Sequence, residues 1–380
     1  MLCRFENHLS GQALELLDFS QRITACTPSD LPAAFDAIEH AQQQGNWVAL
    51  LLDYELGEWL EPTVSWPDAA ANGHSRRIND NNDPCLTALV YKQARHSHPW
   101  DAPTTASQAD LHAQAQIEKN QYLSNIEKIR ASIGRGDLYQ ANYTFPIKVE
   151  SSIRPLDLYK TIAARHPSAH AAYIEDGARI VLSFSPELFF ERRGSTVTVR
   201  PMKGTAPRHA DPEQDERSAQ DLLHSEKNRA ENLMIVDLLR NDLGRLATPG
   251  SVNVEALFSL ERYPSVWALT STISAHAPGK SLEDLLRALF PCGSITGAPK
   301  IAAMKKIREL EDARRRIYCG SVGWLAPNGD CSLNVAIRTI EMQPDGSGIF
   351  GVGGGIVHDS QPELEWQECL WKASILGSIE

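Results

Sequence analysis

Strand-like and helix-like runs follow one another along this chain without a regular strand–helix–strand beat, and this irregular order is the strongest constraint on its fold. A doubly wound parallel sheet needs that beat, because each parallel crossover is made by a helix. Here three strand patterns stand in succession, at 180–184, 188–192 and 196–200, the last two joined across Gly194-Ser195. Helical patterns follow at 227–243, closed by Gly244, and at 281–289, opened by the capping pair Ser281 and Asp284. A third spans 299–311 with Pro299 in its first turn and Ile301, Met304 and Ile307 facing inward. Strand patterns return at 318–325 and 332–341 around the hairpin signal Asn328-Gly329. A glycine-broken strand at 350–357 and a helix at 361–378 close the chain. This order predicts an α+β fold.

The earlier part is thinner in regular pattern. Leu31, Phe35, Ile38 and Ala41 mark a helix over 31–44 with Ser29 or Asp30 as cap, and the run 47–54 reads as a buried strand. Residues 61–111 are rich in Pro, Asn, Asp, Ser and Ala and read as polar loops around one short strand at 86–91. Tyr122, Ile126, Ile129 and Ile133 form one face of a helix stopped near Gly134. Residues 1–110 therefore read as an N-terminal α/β region with polar loops, and 111–380 as the part that carries the chemistry. No internal repeat is visible.

Charge and composition narrow the function. Lys and Arg number 37 against 48 Asp and Glu, a formal net charge of −11, which argues against a nucleic-acid binder. No run approaches the roughly 20 apolar residues of a membrane span, and the first ten residues lack the basic-then-apolar pattern of a secretory signal. Seven scattered cysteines without a C-x-x-C pair argue against a disulfide framework and point to a reducing cytoplasm. A soluble, acidic, cytoplasmic enzyme is expected, and the 380 residues give a length prior of two or three domains.

Several constellations could carry chemistry. Lys203 stands between Pro201 and Pro207 beside Gly204, where a desolvated amine would lose its proton and become a nucleophile. A solvated loop lysine is the plainer reading, and residue chemistry alone favours it. Glu187 precedes the strand pair whose hairpin would bring it back near Lys203, a carboxyl and an amine poised for acid–base work; the alternative is an ordinary strand-end carboxylate. Glu231 lies on the 227–243 helix, and Glu365 and Glu368 share a face of the last one. Such carboxylates suit Mg²⁺, yet taken alone they read more plainly as solvent-facing charge, with Glu368 and Lys372 as an i,i+4 pair. The glycine-rich segment 293–300 precedes a helix and could hold an anion, but it lacks the ending of a phosphate-binding loop. In the segment 351–357 glycine would let a flat ligand approach the backbone. Arg338 is a charge in an otherwise apolar strand, suited to a substrate carboxylate.

Together these pieces resemble the chorismate-utilising enzymes, which include anthranilate synthase large subunits, aminodeoxychorismate synthase component I, isochorismate synthases and salicylate synthases. The resemblance runs in order from Gly136-Asp137-Leu138-Tyr139-Gln140-Ala141-Asn142 to Lys372. It implies one large α+β domain, with two packed antiparallel β-sheets and helices outside, in place of two or three domains. Within the family, Pro201-Met202-Lys203-Gly204-Thr205 is similar to the Pro-Ile-Lys-Gly-Thr of aminodeoxychorismate synthases, where anthranilate synthases have Ala for the lysine.

The resemblance implies roles residue by residue. Glu231 and Glu368 would hold Mg²⁺ on the ring carboxylate of chorismate, with Glu365 supporting. Lys203 would be the nucleophile and Glu187 the acid and base. Arg338 and the backbone of Gly353, Gly354 and Gly355 would hold the enolpyruvyl carboxylate. Tyr318, Gly204 with Thr205, Thr296 with Gly297, and Lys372 would shape the site. The implied product is 4-amino-4-deoxychorismate, a precursor of 4-aminobenzoate and folate. Its ammonia would come from a separate glutamine amidotransferase subunit, since Cys292 belongs to the chorismate motif, and no fused lyase is expected. In one departure, Ala268 stands where many family members have a His. Anthranilate or isochorismate formation, or a catalytically weakened regulatory homologue, are the competing expectations.

Overall fold

In the strand Trp47–Leu52, Val48, Leu50 and Leu52 enter one apolar cluster and Ala49 and Leu51 another, and all five are fully buried. A strand buried on both faces must lie between layers, and the rest of the fold is built around that requirement. The computed structural model describes residues 1–62, 64, 83–103, 111–264 and 266–379. Among these the chain forms eighteen strands and nine helices. The strands are β1 (Cys3–Asn7), β2 (Gln12–Ala25), β3 (Trp47–Leu52), β4 (Leu86–Ser97), β5 (Leu111–Ala115), β6 (Gln140–Ser151), β7 (His170–Glu175), β8 (Ile180–Ser185), β9 (Leu188–Arg193), β10 (Thr196–Arg200), β11 (Met202–Pro207), β12 (Asn253–Arg262), β13 (Val266–His276), β14 (Gly297–Ala298), β15 (Ser321–Leu325), β16 (Cys331–Asn334), β17 (Thr339–Met342) and β18 (Ser347–Ile356). The helices are α1 (Leu31–Gln43), α2 (Leu56–Leu60), α3 (Lys119–Gly134), α4 (Pro155–Arg165), α5 (Pro212–His224), α6 (Glu226–Gly244), α7 (Leu282–Leu289), α8 (Lys300–Leu310) and α9 (Pro362–Lys372).

All strand pairings are antiparallel, and they form one continuous hydrogen-bonded path: β5, β6, β18, β17, β8, β7, β1, β2, β4, β3, β15, β16, β9, β10, β13, β12. β10 and β11 lie end to end along β13, on either side of Pro201. The two halves of the path pack face to face. Asn334 of β16 donates from Nδ2 to Ser183 Oγ of β8 at 3.1 Å and to His170 O at 2.9 Å. One apolar cluster lies between the halves and draws on β1 to β4, β7, β8 and β15. Two larger clusters pack helices onto the outer faces: α1, α2, α6 and α7 on one side, α3, α4, α8 and α9 on the other. The expected two sheets with helices outside are thus two halves of a single α+β network. Strands from 1–110 and from 111–380 share it.

Two of the chain's crossings between the halves lie side by side, between β8 and β9 and between β16 and β17. Val335 N donates to Glu187 O, and Phe184 N to Arg338 O, each at 3.0 Å. This juxtaposition brings Glu187 and Arg338 to one end of the fold. It also corrects the expected strand over 332–341. β16 ends at Asn334 on β9 and β17 begins at Thr339 on β8, so Arg338 lies in the crossing, not in a strand, with φ at +50°. The left-handed region costs a non-glycine residue energy and persists where the surroundings enforce it. The expected short strand at 86–91 continues to Ser97 because its polar end pairs with the first half of β2. The polar loops expected at 65–82 and 104–110 lie outside the described residues. No helix of the described residues is long and apolar enough to cross a membrane.

His170 opens β7, and burial, with Arg200 adding, pushes its imidazole down to about 4. The unfolded ring takes a proton near pH 6.5, so the unfolded chain binds more protons between pH 6.5 and 4. Stability from this group is complete above that window and falls through it by on the order of 3 kcal/mol. His170→Gln is expected to flatten the acid limb of stability against pH in denaturant titrations. An unchanged limb would remove His170 from the account.

Candidate active site

A cavity of about 610 Å³ opens at the end of the fold where the crossings meet β11, α6, β18 and α9. β11 contributes Lys203, Gly204 and Thr205, and α6 contributes Glu231. Gly353 and Gly355 come from β18, and Glu365, Glu368 and Lys372 from α9. Glu187, Tyr318 and Arg338 complete the wall. Twelve of the fifteen residues singled out from the sequence line this space; Thr296, Gly297 and Gly354 do not. Thr296 is fully buried behind the wall, where its Oγ1 donates to Cys292 O at 2.8 Å. Gly297 is packed so closely in β14 that a Cβ would lie 2.1 Å from Gln140 O. At Gly354 a Cβ would lie 3.2 Å from Glu365 Oε2 and 3.8 Å from Lys372 Nζ, so this glycine makes room for those side chains.

Local structure explains why Lys203 and Glu187 meet. The β9–β10 hairpin sets Leu188 opposite Arg200, which returns the chain to Glu187 just as β11 begins. Met202 N approaches Glu187 Oε1 at 3.5 Å, and Lys203 Nζ donates to Ser294 O at 2.8 Å. Burial holds the Lys203 amine below the usual lysine range, against the pull of Glu187 and Glu231, with Lys372 adding to the lowering. Burial likewise holds the Glu187 carboxyl above the usual carboxylate range, although Ser294 and Lys203 draw it down. The pair is thus biased toward a neutral amine beside a neutral acid.

Charge elsewhere in the cavity is unevenly compensated. Burial raises the carboxyls of Glu231 and Glu365, and neighbouring Glu368 adds to both shifts. Glu368 is lowered by Lys372, whose Nζ lies 2.7 Å from its Oε1 and 3.0 Å from Gly353 O. Among the described residues no group of three or more His, Cys, Asp or Glu side chains is gathered closely enough to hold a metal ion by itself. Burial lowers the Arg338 guanidinium, and no carboxylate pairs with it among the described residues. An unpaired buried cation is costly unless an anion completes it.

Other groups at the cavity were not singled out in sequence. Gln140 is fully buried with neither side-chain polar atom partnered in the described structure, and its Nε2 would lie 2.6 Å from a Cβ on Gly355. Gln140 sits behind the lining, whereas Asn142, Ser294, Lys227 and Trp371 line the space itself. Gln140, Asn142 and Ser294 sit inside quoted motifs, so the signal was present. Lys227 and Trp371 are helix residues without a local signature. Ala268 packs in β13 against Tyr263, Val266 and Met202, which leaves that stretch apolar.

An antiparallel two-layer fold that ends in a cavity with a desolvated amine, a buried acid and an unpaired guanidinium defines an enzyme for carboxylated small molecules. The chain belongs to the chorismate binding enzyme family, whose model matches residues 10–377. It is 35% identical to aminodeoxychorismate synthase component 1 of Salmonella typhimurium, over 99% of this chain and 90% of that protein. It is 43% identical to the Escherichia coli protein of the same name, over 87% and 76%. Among solved structures, anthranilate synthase component I from Streptococcus pneumoniae superposes with a TM-score of 0.76 at 25% identity, covering 90% of this chain and 85% of that one.

Proposed function

We propose that this chain is component I of an aminodeoxychorismate synthase, converting chorismate and ammonia to 4-amino-4-deoxychorismate in the route to 4-aminobenzoate and folate. The observation that carries this reading is the Lys203–Glu187 pair: a desolvated amine and a buried carboxyl on one cavity wall. Neutral Lys203 Nζ bonds to C2 of the ring, both double bonds of the conjugated diene shift by one position round the ring, and the C4–O bond breaks. Glu187 protonates the departing oxygen, and water leaves. Ammonia then bonds to C4, both double bonds shift back, and the C2–N bond breaks to release Lys203 as a free amine. Glu187 takes the surplus proton from the new ammonium and returns to its starting state. Two displacements at C2 and C4 leave the amino group on the original C4 position.

Arg338 and the strand backbone at Gly353, Gly354 and Gly355 hold the enolpyruvyl carboxylate, and Tyr318, Gly204, Thr205 and Lys372 shape the pocket. Thr296 and Gly297 support it from behind. Mg²⁺ suits the remaining wall. Glu231 has no hydrogen bond or ion pair among the described residues, and it faces the same cavity as Glu365 and Glu368. Mg²⁺ is usually held by one or two carboxylates plus substrate and water, so Glu231 and Glu368 would hold it, with Glu365 supporting. Bound there it supplies Lewis-acid polarisation of the ring carboxylate.

Ammonia comes from a separate glutamine amidotransferase subunit. The Cys292 thiol is pushed up to about 12 by burial, with Glu187 adding, which makes it a poor glutaminase nucleophile. The chain with chorismate, Mg²⁺ and an ammonium salt at mildly alkaline pH is expected to yield aminodeoxychorismate, and glutamine alone to yield none. Anthranilate or isochorismate as the main chromatographic product would overturn the assignment.

A further inference from the structure

One edge of β6 pairs with β18 from Ala141 to Glu150, but its other edge is shared. β14 covers that edge as far as Ala141, and β5 takes it up from Ile147. The interval is closed by two side chains, Glu311 and Arg315, each 5% exposed. Thr144 donates to Glu311 Oε1 from its N and from its Oγ1, both at 2.9 Å. Arg315 Nη2 donates to Asn142 O. The two side chains are locked together as a fork, Arg315 Nε on Glu311 Oε2 at 3.0 Å and Nη2 on Oε1 at 2.7 Å. The remaining arm of the guanidinium, Nη1, leaves the sheet and donates to Ile295 O at 3.0 Å. Ile295 ends the short turn Gly293–Ile295 and follows Ser294, whose carbonyl accepts from Lys203 Nζ at 2.8 Å. One planar cation thus ties the turn that holds the amine to the strand that backs the cavity.

We infer that Arg315 is a positioning residue for the amination, fixing the turn at 293–295 against β6 through Ile295 and so keeping the Ser294 carbonyl where it aims the Lys203 amine. The inference rests on the amination reading above and deepens it. The turn's own bonds close it on itself: Thr296 Oγ1 donates to Cys292 O at 2.8 Å, and Thr296 N to Gly293 O at 3.2 Å. Asn142 N ties its far end by donating to Thr296 O at 2.9 Å. Arg315 adds a bond from outside to the residue next to Ser294. The task suits a guanidinium. A lysine keeps the charge but concentrates its donors on one atom, so it cannot serve Glu311 and both carbonyls across the same span. The substrate wall does not hang on this fork, because Gly353 and Gly355 are held by the pairing of β18 with Thr144 and Asn142 on the opposite edge of β6. Loss of the fork therefore loosens the amine and spares chorismate binding.

The test is Arg315→Lys in the full chain, in single turnovers of chorismate with Mg²⁺, an ammonium salt and enzyme in excess. The plateau rate constant at saturating enzyme is expected to fall about a hundredfold, the scale for a reacting group misplaced by about an ångström. The enzyme concentration at half-saturation should stay within about twofold of the parent, as for an interaction that matters only in the transition state. A merely structural role would do the reverse, since fewer folded chains raise the half-saturating concentration and leave the plateau alone. The crystal structure of the variant should show Ser294 O withdrawn beyond hydrogen-bond reach of Lys203 Nζ. Should Arg315→Lys not fold, Glu311→Gln, which keeps the guanidinium but slackens its fork, should lower the plateau in the same way. A plateau at the parent value, or a Ser294 carbonyl still on Lys203, overturns the inference. A parent chain that makes no aminodeoxychorismate overturns the amination reading instead, and the place of Ser294 O in the variant still decides the case of Arg315.

Discussion

Lys203→Ala is expected to lower aminodeoxychorismate formation by about a thousandfold or more, the scale for loss of a covalent nucleophile. The expectation follows from what distinguishes Lys203 from the other cavity lysines. An unperturbed lysine amine is almost wholly protonated near neutral pH. Lys372, against the effect of its burial, is held above the usual range by Glu368, Cys369 and Glu365, so it stays charged. Lys227 is exposed at the rim. Lys203 is shifted toward the free amine, and it is aimed by a 2.8 Å hydrogen bond to Ser294 O. The alanine variant also makes the motif resemble that of an anthranilate synthase, which opens C2 to direct attack by ammonia. Intact-protein and peptide mass spectrometry under turnover should find an adduct on Lys203 in the parent and none in the variant. Undiminished turnover in Lys203→Ala, or an adduct on another side chain, would show that this amine is not the nucleophile.

The same residues show how far sequence carries the structure. The α1, α3, α6, α7 and α8 helices were legible because each has an apolar stripe and an identifiable start or stop. Ser281 and Asp284 form the reciprocal cap that their spacing predicts. The β9–β10 hairpin was legible from its turn, and through it the approach of Glu187 to Lys203. Two-sided burial hides strands from any test of alternation, but other strands escaped for a different reason. β2 is half exposed and bent at Asp18, where φ is +58°, and β12 is interrupted by irregular register against β13. Such strands follow their partners, and nothing local announces them. Arg338 shows the limit most clearly. The continuous strand-like stretch 332–341 carries no mark of the point where hydrogen bonding passes from β9 to β8. The residue was singled out as a charge suited to a substrate carboxylate, and it lies on the cavity wall, but it was placed in the wrong conformation. Thr296, Gly297 and Gly354 belong to motifs that touch the cavity through their neighbours, a distinction only packing can make.

Glu231→Gln is expected to abolish Mg²⁺-dependent turnover while leaving the fold intact. Gln matches Glu in size, so the α6 packing survives and only the charge and one class of ligand are lost. That charge makes no hydrogen bond or ion pair among the described residues, and burial holds its carboxyl above the usual range, with Glu368 adding to the shift against the pull of Lys203, Lys227 and Lys372. Clustered carboxylates repel one another, and a divalent cation relieves that repulsion. Glu368, paired with Lys372 at 2.7 Å, has its charge compensated already, so Glu231 stands to gain the most from a cation and to lose the most when neutralised. Calorimetric titration should show Mg²⁺ affinity in Glu231→Gln reduced by about tenfold or more, since ligand charge sets affinity at hard-oxygen sites. The thermal midpoint without metal should stay near or above that of the parent, because a disfavoured buried charge has been removed. If Glu231→Gln binds Mg²⁺ like the parent and turns over normally, the cation is held elsewhere and the wall formed by α6 and α9 serves the substrate alone.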